Sequence, residues 1–396
     1  MIVENKKIHI LIIGVAYIGT MASAMRIRNL IEPLAGIPNL SFSTLIFPFN
    51  KRLFPKAEKG IRNNVVYQVI GYDLFNLFSI ISFLIQGIVF IKEHRKERTK
   101  NIFYVYNYPN IENFVFILFA KAIGYKIVFD IVEDYQFITS FKSLKGKLKT
   151  KSAIFMFERI VCFANGCIAI SMHLEKKCKQ LSRNKFPVTL IPISTDLSLF
   201  RETSSSEKSD KVTTFFYGGS FGDKDGIDLL LKAFEILMVQ DNNVRLILTG
   251  TGAERHIKIL LNLLAKSNCK NNIGYLGYLP DTQYYQVLNN CDVMCMTRIN
   301  STFANAGFPF KLGEFLATGK PVICTPVGDV PHYLTHMVNS IFVKPGNEFS
   351  LADAMLYCKK NSDLCKNIGK KGRKVAEEHF DRINVSGKLL NFFQKI

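Results

Sequence analysis

The sequence predicts two α/β domains, each built on a parallel sheet and joined by a polar linker. Three observations lead there. Short apolar runs alternate with longer segments of helical periodicity from Ile8 to Val343. Several of these runs end in glycine-rich turns that open directly into a helix. The stretch RETSSSEKSDK, residues 201–211, is too polar to belong to either core. The expected boundaries are 1–200 for the first domain, 201–211 for the linker, 212–375 for the second domain, and 376–396 for a closing helix able to pack on the first.

Composition narrows the function classes. With 396 residues, 48% hydrophobic and 21% charged, the chain can bury substantial cores and is not a disordered sequence. Its nine cysteines include no CxxC pair and no cysteine-histidine cluster, the pattern of reduced core thiols rather than a structural zinc site. The formal charge is +19, and residues 1–200 hold most of the excess, with 27 basic against 13 acidic side chains. Such a surface suits an anionic membrane or an anionic substrate. Nucleic acid is not expected, because no aromatic-basic RNA motif, zinc finger or helix-turn-helix accompanies the charge.

In chain order, MIVENKKIHILIIG reads as a first strand, Ile8 to Ile13, and not as a signal peptide. Gly14 to Thr20 forms a glycine turn before a helix from about Ser23 that carries Arg26 and Arg28. The spacing is not GxGxxG, so a dinucleotide is not the expected ligand. Strands are expected at Ser41 to Pro48 and Asn64 to Ile70. Leu74 to Ile91 is a run of 18 uncharged residues followed by KEHRKERTK. It fits a core helix, a membrane-surface helix or a marginal membrane span; Asn76, Ser79, Ser82 and Gln86 make one side less apolar. Asn101 to Tyr106 and Lys126 to Ile131 are further strands, the second leading into Asp130, Glu133 and Asp134 where α/β folds place ligand loops. Pairing of these acids with nearby Lys or Arg is the alternative. A helix from Ser152, a strand from Gly166 to Ile170 and Ser171 as an N-cap complete this half.

The second half repeats the pattern. A strand from Val212 ends in YGGSFGDKDG, where Lys224 precedes a helix; the strand Val244 to Thr249 ends in GTGAER; Arg298 follows the strand Cys291 to Thr297. NSTFANAG reads as a polar loop. FPFKLGEFLATGKPV, residues 308–322, reads as a loop, a helix with Lys311 and Glu314 on neighbouring positions of one face, a stop at Gly319, and a strand. Lys224, Arg298 and Lys311 thus gather at the expected C-terminal edge of the second sheet, a pattern that suits a phosphorylated ligand.

YGGSFGDKDGIDLLLKAF, LTGTGAER, IGYLGYLP and FPFKLGEFLATGKPVICTPVGDVPHYL, in that order, closely resemble the nucleotide-sugar-dependent glycosyltransferases of the GT-B fold. The resemblance is to the retaining family 4 enzymes, also called group 1, and to a subgroup with the FPxKLxEYLAxGKPV form. GTMASAMRIRNL and IPISTDLSLF support it. It implies two Rossmann-like domains facing across a cleft, the second binding a nucleotide diphosphate sugar and the first an acceptor. Lys224, Arg298 and Lys311 would then stabilise the leaving diphosphate, Glu314 would hold the donor ribose, and Gly219, Gly250 and Gly252 would line the donor. Gly19, Thr20, Arg26, Asp130, Glu133 and Asp134 are the candidate acceptor or sugar contacts. The nucleotide sugar is a co-substrate, and neither metal nor other cofactor is implied. The implied partners are a nucleotide-sugar donor and a saccharide or lipid-linked acceptor, with a role in cell-surface polysaccharide synthesis; peripheral contact with an anionic membrane, at its cytoplasmic face, is expected from the apolar run 74–91 and its basic flank. Ala306 stands where the family's first paired acid would be, Ser220 near its usual arginine, and no histidine lies beside Asp130. A GT-B sugar-nucleotide epimerase and a non-catalytic nucleotide-sugar-binding protein are the alternatives.

Overall fold

The computed structural model describes residues 7–19, 21–47, 58–71, 76–137, 144–200 and 212–396; the expected linker and Thr20 lie outside them. The chain divides into two compact units, Met1–Ser194 with Arg382–Ile396, and Thr195–Asp381. Each is a sheet flanked by helices.

The first unit holds β1 (Ile8–Ile13), β2 (Leu40–Ile46), β3 (Glu58–Arg62), β4 (Val65–Val69), β5 (Lys100–Tyr106), β6 (Lys126–Ile131), β7 (Gly166–Ala169) and β8 (Val188–Leu190). They lie in the order β3-β4-β2-β1-β5-β6-β7-β8. The central β1 is buried throughout, with Ile10 opposite both Phe42 and Ile102. Its one polar residue, His9, is held between Ser41 Oγ (2.9 Å) and Ser43 Oγ (3.1 Å). Burial, aided by Lys96 and His94, pushes its pKa down to about 3, so the ring remains neutral inside the sheet.

The sheet is parallel, as the sequence predicts, except at one edge, where β3 runs antiparallel to β4. Asn63 and Asn64, at φ 48° and 62°, make the tight two-residue turn that joins them. EKGIR lacks the apolar alternation of a strand because it is an exposed edge.

The helices of this unit are α1 (Ala22–Ile31), α2 (Leu77–Glu93), α3 (Ile111–Ala122), α4 (Leu144–Ile160) and α5 (Met172–Ser182). Side-chain caps start three of them: Asn76, Asn110 and Ser171 accept from Ser79 N, Asn113 N and Leu174 N at 3.2, 2.8 and 3.2 Å. The apolar run expected over 74–91 forms α2 from Leu77 onward; its first two residues, 74 and 75, lie outside the described residues. It buries Phe83, Gly87, Phe90 and Ile91, and a Cβ on Gly87 would lie 2.4 Å from the Phe116 ring, so glycine is what lets α2 approach α3. Among the described residues no helix is long and apolar enough to cross a membrane.

The second unit has β9 (Thr213–Ser220), β10 (Val244–Thr251), β11 (Ile273–Tyr275), β12 (Val293–Met296), β13 (Val322–Cys324) and β14 (Ile341–Phe342), ordered β11-β10-β9-β12-β13-β14 and all parallel. Around them lie α6 (Ile227–Gln240), α7 (Glu254–Lys266), α8 (Asp281–Asn290), α9 (Thr302–Ala306), α10 (Leu312–Ala317), α11 (Val330–Tyr333), α12 (Glu348–Lys360) and α13 (Ser362–Val375). The expected loop NSTFANAG therefore contains a helical turn, α9, capped by Ser301 Oγ on Ala304 N at 3.2 Å. Five residues are too few to show a 3.6 periodicity. A core of Phe215, Leu230, Phe234, Leu246, Met355 and their neighbours fills the space under the sheet.

The last helix, α14 (Arg382–Lys395), belongs to the first unit and packs against α1. It starts at Arg382 rather than 376, because Ala376–Phe380 continues α13 as a π-helical turn. Val385, Leu389 and Phe393 enter the first unit's core, and Lys100 Nζ caps the helix by donating to the carbonyls of Phe393, Gln394 and Ile396 at 3.2, 2.9 and 2.8 Å.

Candidate active site

The β9-α6 loop and the β12 end are tied into one surface. Asp225 organises it: its carboxylate accepts from Ser220 Oγ (2.7 Å) and Gly222 N (2.9 Å), while its carbonyl accepts from Thr297 Oγ1 (2.9 Å). Ile299 N donates to Lys224 O at 3.1 Å. Gly226, at φ 63°, sits so near the neighbouring chain that a Cβ would fall 2.1 Å from Thr297 O. Lys224 and Arg298 thereby sit on two loops that are directly bonded together, both half-buried. The Lys224 ammonium lies 4.3 Å from the centre of the Phe303 ring on α9. Arg298 acts on the buried Tyr217 hydroxyl, whose pKa is pushed well up by burial and by Asp225 against the opposing pull of Arg298.

One strand along the sheet, α10 carries the second half of the site. Lys311 is its N-cap residue, and Gly319 closes the turn after it at φ 70°, the conformation expected of a helix stop. Glu314 is 4% exposed, and its Oε2 accepts from Tyr284 Oη on α8 at 2.9 Å and meets Lys311 Nζ at 3.1 Å. The same ammonium lies 4.2 Å from the centre of the Tyr284 ring. Burial first, and then Glu314, raise the Tyr284 pKa well above its ordinary value, so its hydroxyl remains a donor. Lys320, in the same motif, does something else: it donates to the carbonyls of Asn289 and Cys291 and fastens the motif to the end of α8.

The glycines divide by role. Gly250, at φ 133°, has space for no side chain, since a Cβ would stand 1.8 Å from Gly219 O; these two glycines let the ends of β9 and β10 pair. Gly252 has only ordinary contacts, the nearest being Phe221 N at 3.5 Å.

In the first unit the expected contact residues are occupied differently. Arg26 and Asp130 are 1% and 0% exposed and form a two-bond pair at 2.9 and 2.8 Å. The remaining guanidinium donors reach Pro192 O and Ile191 O, and Tyr104 Oη donates to Asp130 at 2.6 Å. These two side chains are buried and bonded to one another, not open to solvent as the expected acceptor contacts would be. Asp134 is also buried. It accepts from Lys177 Nζ at 2.6 Å and His173 Nε2 at 3.1 Å; burial works against its charge, but these donors hold its pKa below the usual carboxylate value. Glu133 is half-buried beside them. Gly19 closes a turn onto Ala16 O at 2.8 Å, and Arg28 donates to its carbonyl.

Sequence reasoning missed Tyr284, Asp225, Phe303 and the Lys177 and His173 partners of Asp134. Only Tyr284 had a local signal, its place one turn into the helix opened by Pro280. Among the described residues no three His, Cys, Asp or Glu side chains gather to hold a metal ion.

Residues 200–375 match the family model described as Glycosyl transferases group 1. An uncharacterized glycosyltransferase of Methanocaldococcus jannaschii is 24% identical over 153 residues, 39% of this chain and 37% of its own length. A phosphatidyl-myo-inositol mannosyltransferase of Mycobacterium leprae is 23% identical over 184 residues, 46% of each chain. The aligned part thus spans less than two thirds of the curated relatives' length. Solved structures match across almost the whole chain. Anabaena HepE in complex with UDP and glucose has a TM-score of 0.74 at 17% identity, covering 99% of this chain and 100% of its own. Sucrose-phosphate synthase from Thermosynechococcus elongatus has a TM-score of 0.77 at 14% identity, covering 98% of each. The chain therefore has the two-domain GT-B fold of these proteins, and its second unit carries the pattern of the group 1 glycosyltransferases.

Proposed function

We propose that the protein is a retaining glycosyltransferase, moving a sugar from a nucleotide diphosphate sugar to a saccharide or lipid-linked saccharide in cell-surface polysaccharide synthesis. The observation that carries this reading is Glu314, a nearly buried carboxylate beside Lys311 at the C-terminal edge of a parallel sheet. Its Tyr284 and Lys311 contacts both fall on Oε2, leaving Oε1 to accept from a ribose hydroxyl. Lys224, Arg298 and Lys311 supply the fixed positive charge that a departing diphosphate needs as the glycosidic bond breaks. Gly252 offers backbone without a side chain to a donor phosphate. The membership in the FPxKLxEYLAxGKPV subgroup rests on the 308–322 motif. In the first unit, Glu133 and Gly19 remain candidates for acceptor contact, and the enzyme would work at the cytoplasmic face of a membrane.

The first measurement is donor binding by calorimetry with UDP-, GDP-, dTDP- and ADP-sugars. UDP-sugars come first because Anabaena HepE holds UDP and glucose. Micromolar to millimolar binding of one nucleotide series is expected, with release of the nucleoside diphosphate. Folded protein that neither binds nor hydrolyses any of them would remove the proposal. Product analysis without acceptor separates transfer from epimerisation, which would release a free epimerised sugar.

A further inference from the structure

α2 carries apolar residues on its outer as well as its inner side, the outer ones beside the exposed pair Ser82 and Gln86, which bond to one another at 2.9 Å. Its inner side meets α3, whereas Phe78, Ile81, Ile85 and Val89 point outward and are 85%, 45%, 56% and 44% exposed. Spaced three or four residues apart, they form one stripe about 17 Å long at 1.5 Å per residue. α3, packed alongside, adds the exposed Ile111 and Leu118. A soluble helix ordinarily places polar residues on this face.

The C-terminal ends of these two helices are basic. KEHRKERTK, residues 92–100, has five basic and two acidic side chains, and Lys92, Arg95, Lys96 and Arg98 are exposed. Lys121 is exposed at the end of α3, and Arg95 Nε donates to Ile123 O at 2.6 Å, so the two basic ends are joined. Long basic side chains beside an apolar stripe can place their stems along the hydrocarbon and their charges among phosphates. α2 has 17 residues and already commits one side to the protein core, so it can lie along a bilayer but not cross it.

We propose that the outer faces of α2 and α3 dock the protein on an anionic lipid bilayer, with Phe78, Ile81, Ile85 and Val89 entering the interface and Lys92, Arg95, Arg98 and Lys121 meeting lipid phosphates. The charge decides for lipid over an apolar protein partner: a helix seated in a protein groove needs the stripe alone, whereas here the stripe runs into a basic cluster on a half-chain that is itself strongly basic. The surface stands whether or not the second unit transfers sugar.

Cosedimentation of the full chain with vesicles tests it, comparing mixed phosphatidylglycerol and phosphatidylcholine with phosphatidylcholine alone. At about 0.1 M salt, where charges are screened only beyond roughly 10 Å, the anionic vesicles should bind at least about tenfold more tightly. Phe78→Asp combined with Ile85→Asp should lower that binding by about tenfold or more. Both side chains are exposed, so the thermal midpoint should not move. Lys92→Glu with Arg98→Glu should remove the preference for anionic lipid and its salt dependence. Wild-type protein that ignores anionic vesicles, or binding that neither pair of substitutions weakens, overturns the proposal. So does a concentration-dependent dimer dissolved by Phe78→Asp, which would make the face a contact between copies of this chain.

Discussion

The two units use charge in opposite ways at comparable places in their sheets. In the first unit, Arg26 on α1 and Asp130 near the end of β6 neutralise one another and have almost no contact with solvent, and Asp134, just past β6, is enclosed by Lys177 and His173. In the second unit Lys224, Arg298 and Lys311 are half-buried on loops and at a helix start, with aromatic rings under two of them. A charge shut away from solvent beside its counter-charge is part of the frame; one that still reaches solvent is available to a ligand. Position at a strand's C-terminal edge marks where ligands bind in α/β sheets, but access to solvent separates frame from site.

The sharpest way to break this comparison is to remove one member of the buried pair. Arg26→Met leaves the Asp130 carboxylate without its two guanidinium bonds in a place closed to water. We expect a loss of about 3–5 kcal/mol in unfolding free energy, measured by urea denaturation. A loss below about 1 kcal/mol, the range of exposed ion pairs, together with weakened acceptor use, would return Arg26 to the list of ligand contacts. The opposite pattern belongs to the second unit: Lys224→Ala, Lys311→Ala and Glu314→Ala should each weaken donor binding by about 2 kcal/mol, roughly 30-fold, with little change in stability for the two lysines. Unchanged donor affinity by calorimetry in all three would erase the distinction between the units.

A smaller effect separates the ring of Tyr284 from its hydroxyl. Tyr284→Phe keeps the aromatic face below Lys311 and removes the bond to Glu314, so a cost of about 1 kcal/mol in donor affinity is expected, less than for loss of Glu314 itself. If Tyr284→Phe matched Glu314→Ala, the hydroxyl would be touching the ligand directly rather than holding the carboxylate.

The sequence made this site visible because its parts are local. Lys311 and Glu314 are one turn apart, Gly319 stops their helix at the predicted position, and most strands are apolar runs whose ends fall within a few residues of those observed. What escaped is non-local or weakly patterned. The Arg26 partner lies 104 residues away, Tyr284 and Glu314 are 30 apart, and the pairing of two polar side chains leaves no periodic trace. The edge strand β3 is exposed on both sides and so has no alternation, although Asn63-Asn64 was a turn signal within reach. The glycines show the same limit: Gly250 is explained by its distance to Gly219 O, which only a structure supplies.

Asp134 gives the mildest prediction and the one that tests how tightly the first unit's charges are held. Its folded-state pKa is depressed, because Lys177 and His173 bond the carboxylate and outweigh the effect of burial. A proton therefore binds the unfolded chain more readily than the folded one, and stability rises with pH across the carboxylate range. The contribution is complete above the ordinary value of 3.8 and disappears as pH falls through the lower folded-state value. Asp134→Asn should consequently flatten the acid limb of the stability profile, measured by thermal unfolding from neutral pH downward, and leave donor affinity in the second unit unchanged. An acid limb of equal slope in the variant would show that the Lys177 and His173 bonds do not hold the carboxylate in solution. A fall in transfer rate at constant stability would instead move Asp134 from the frame of the first unit to its acceptor site.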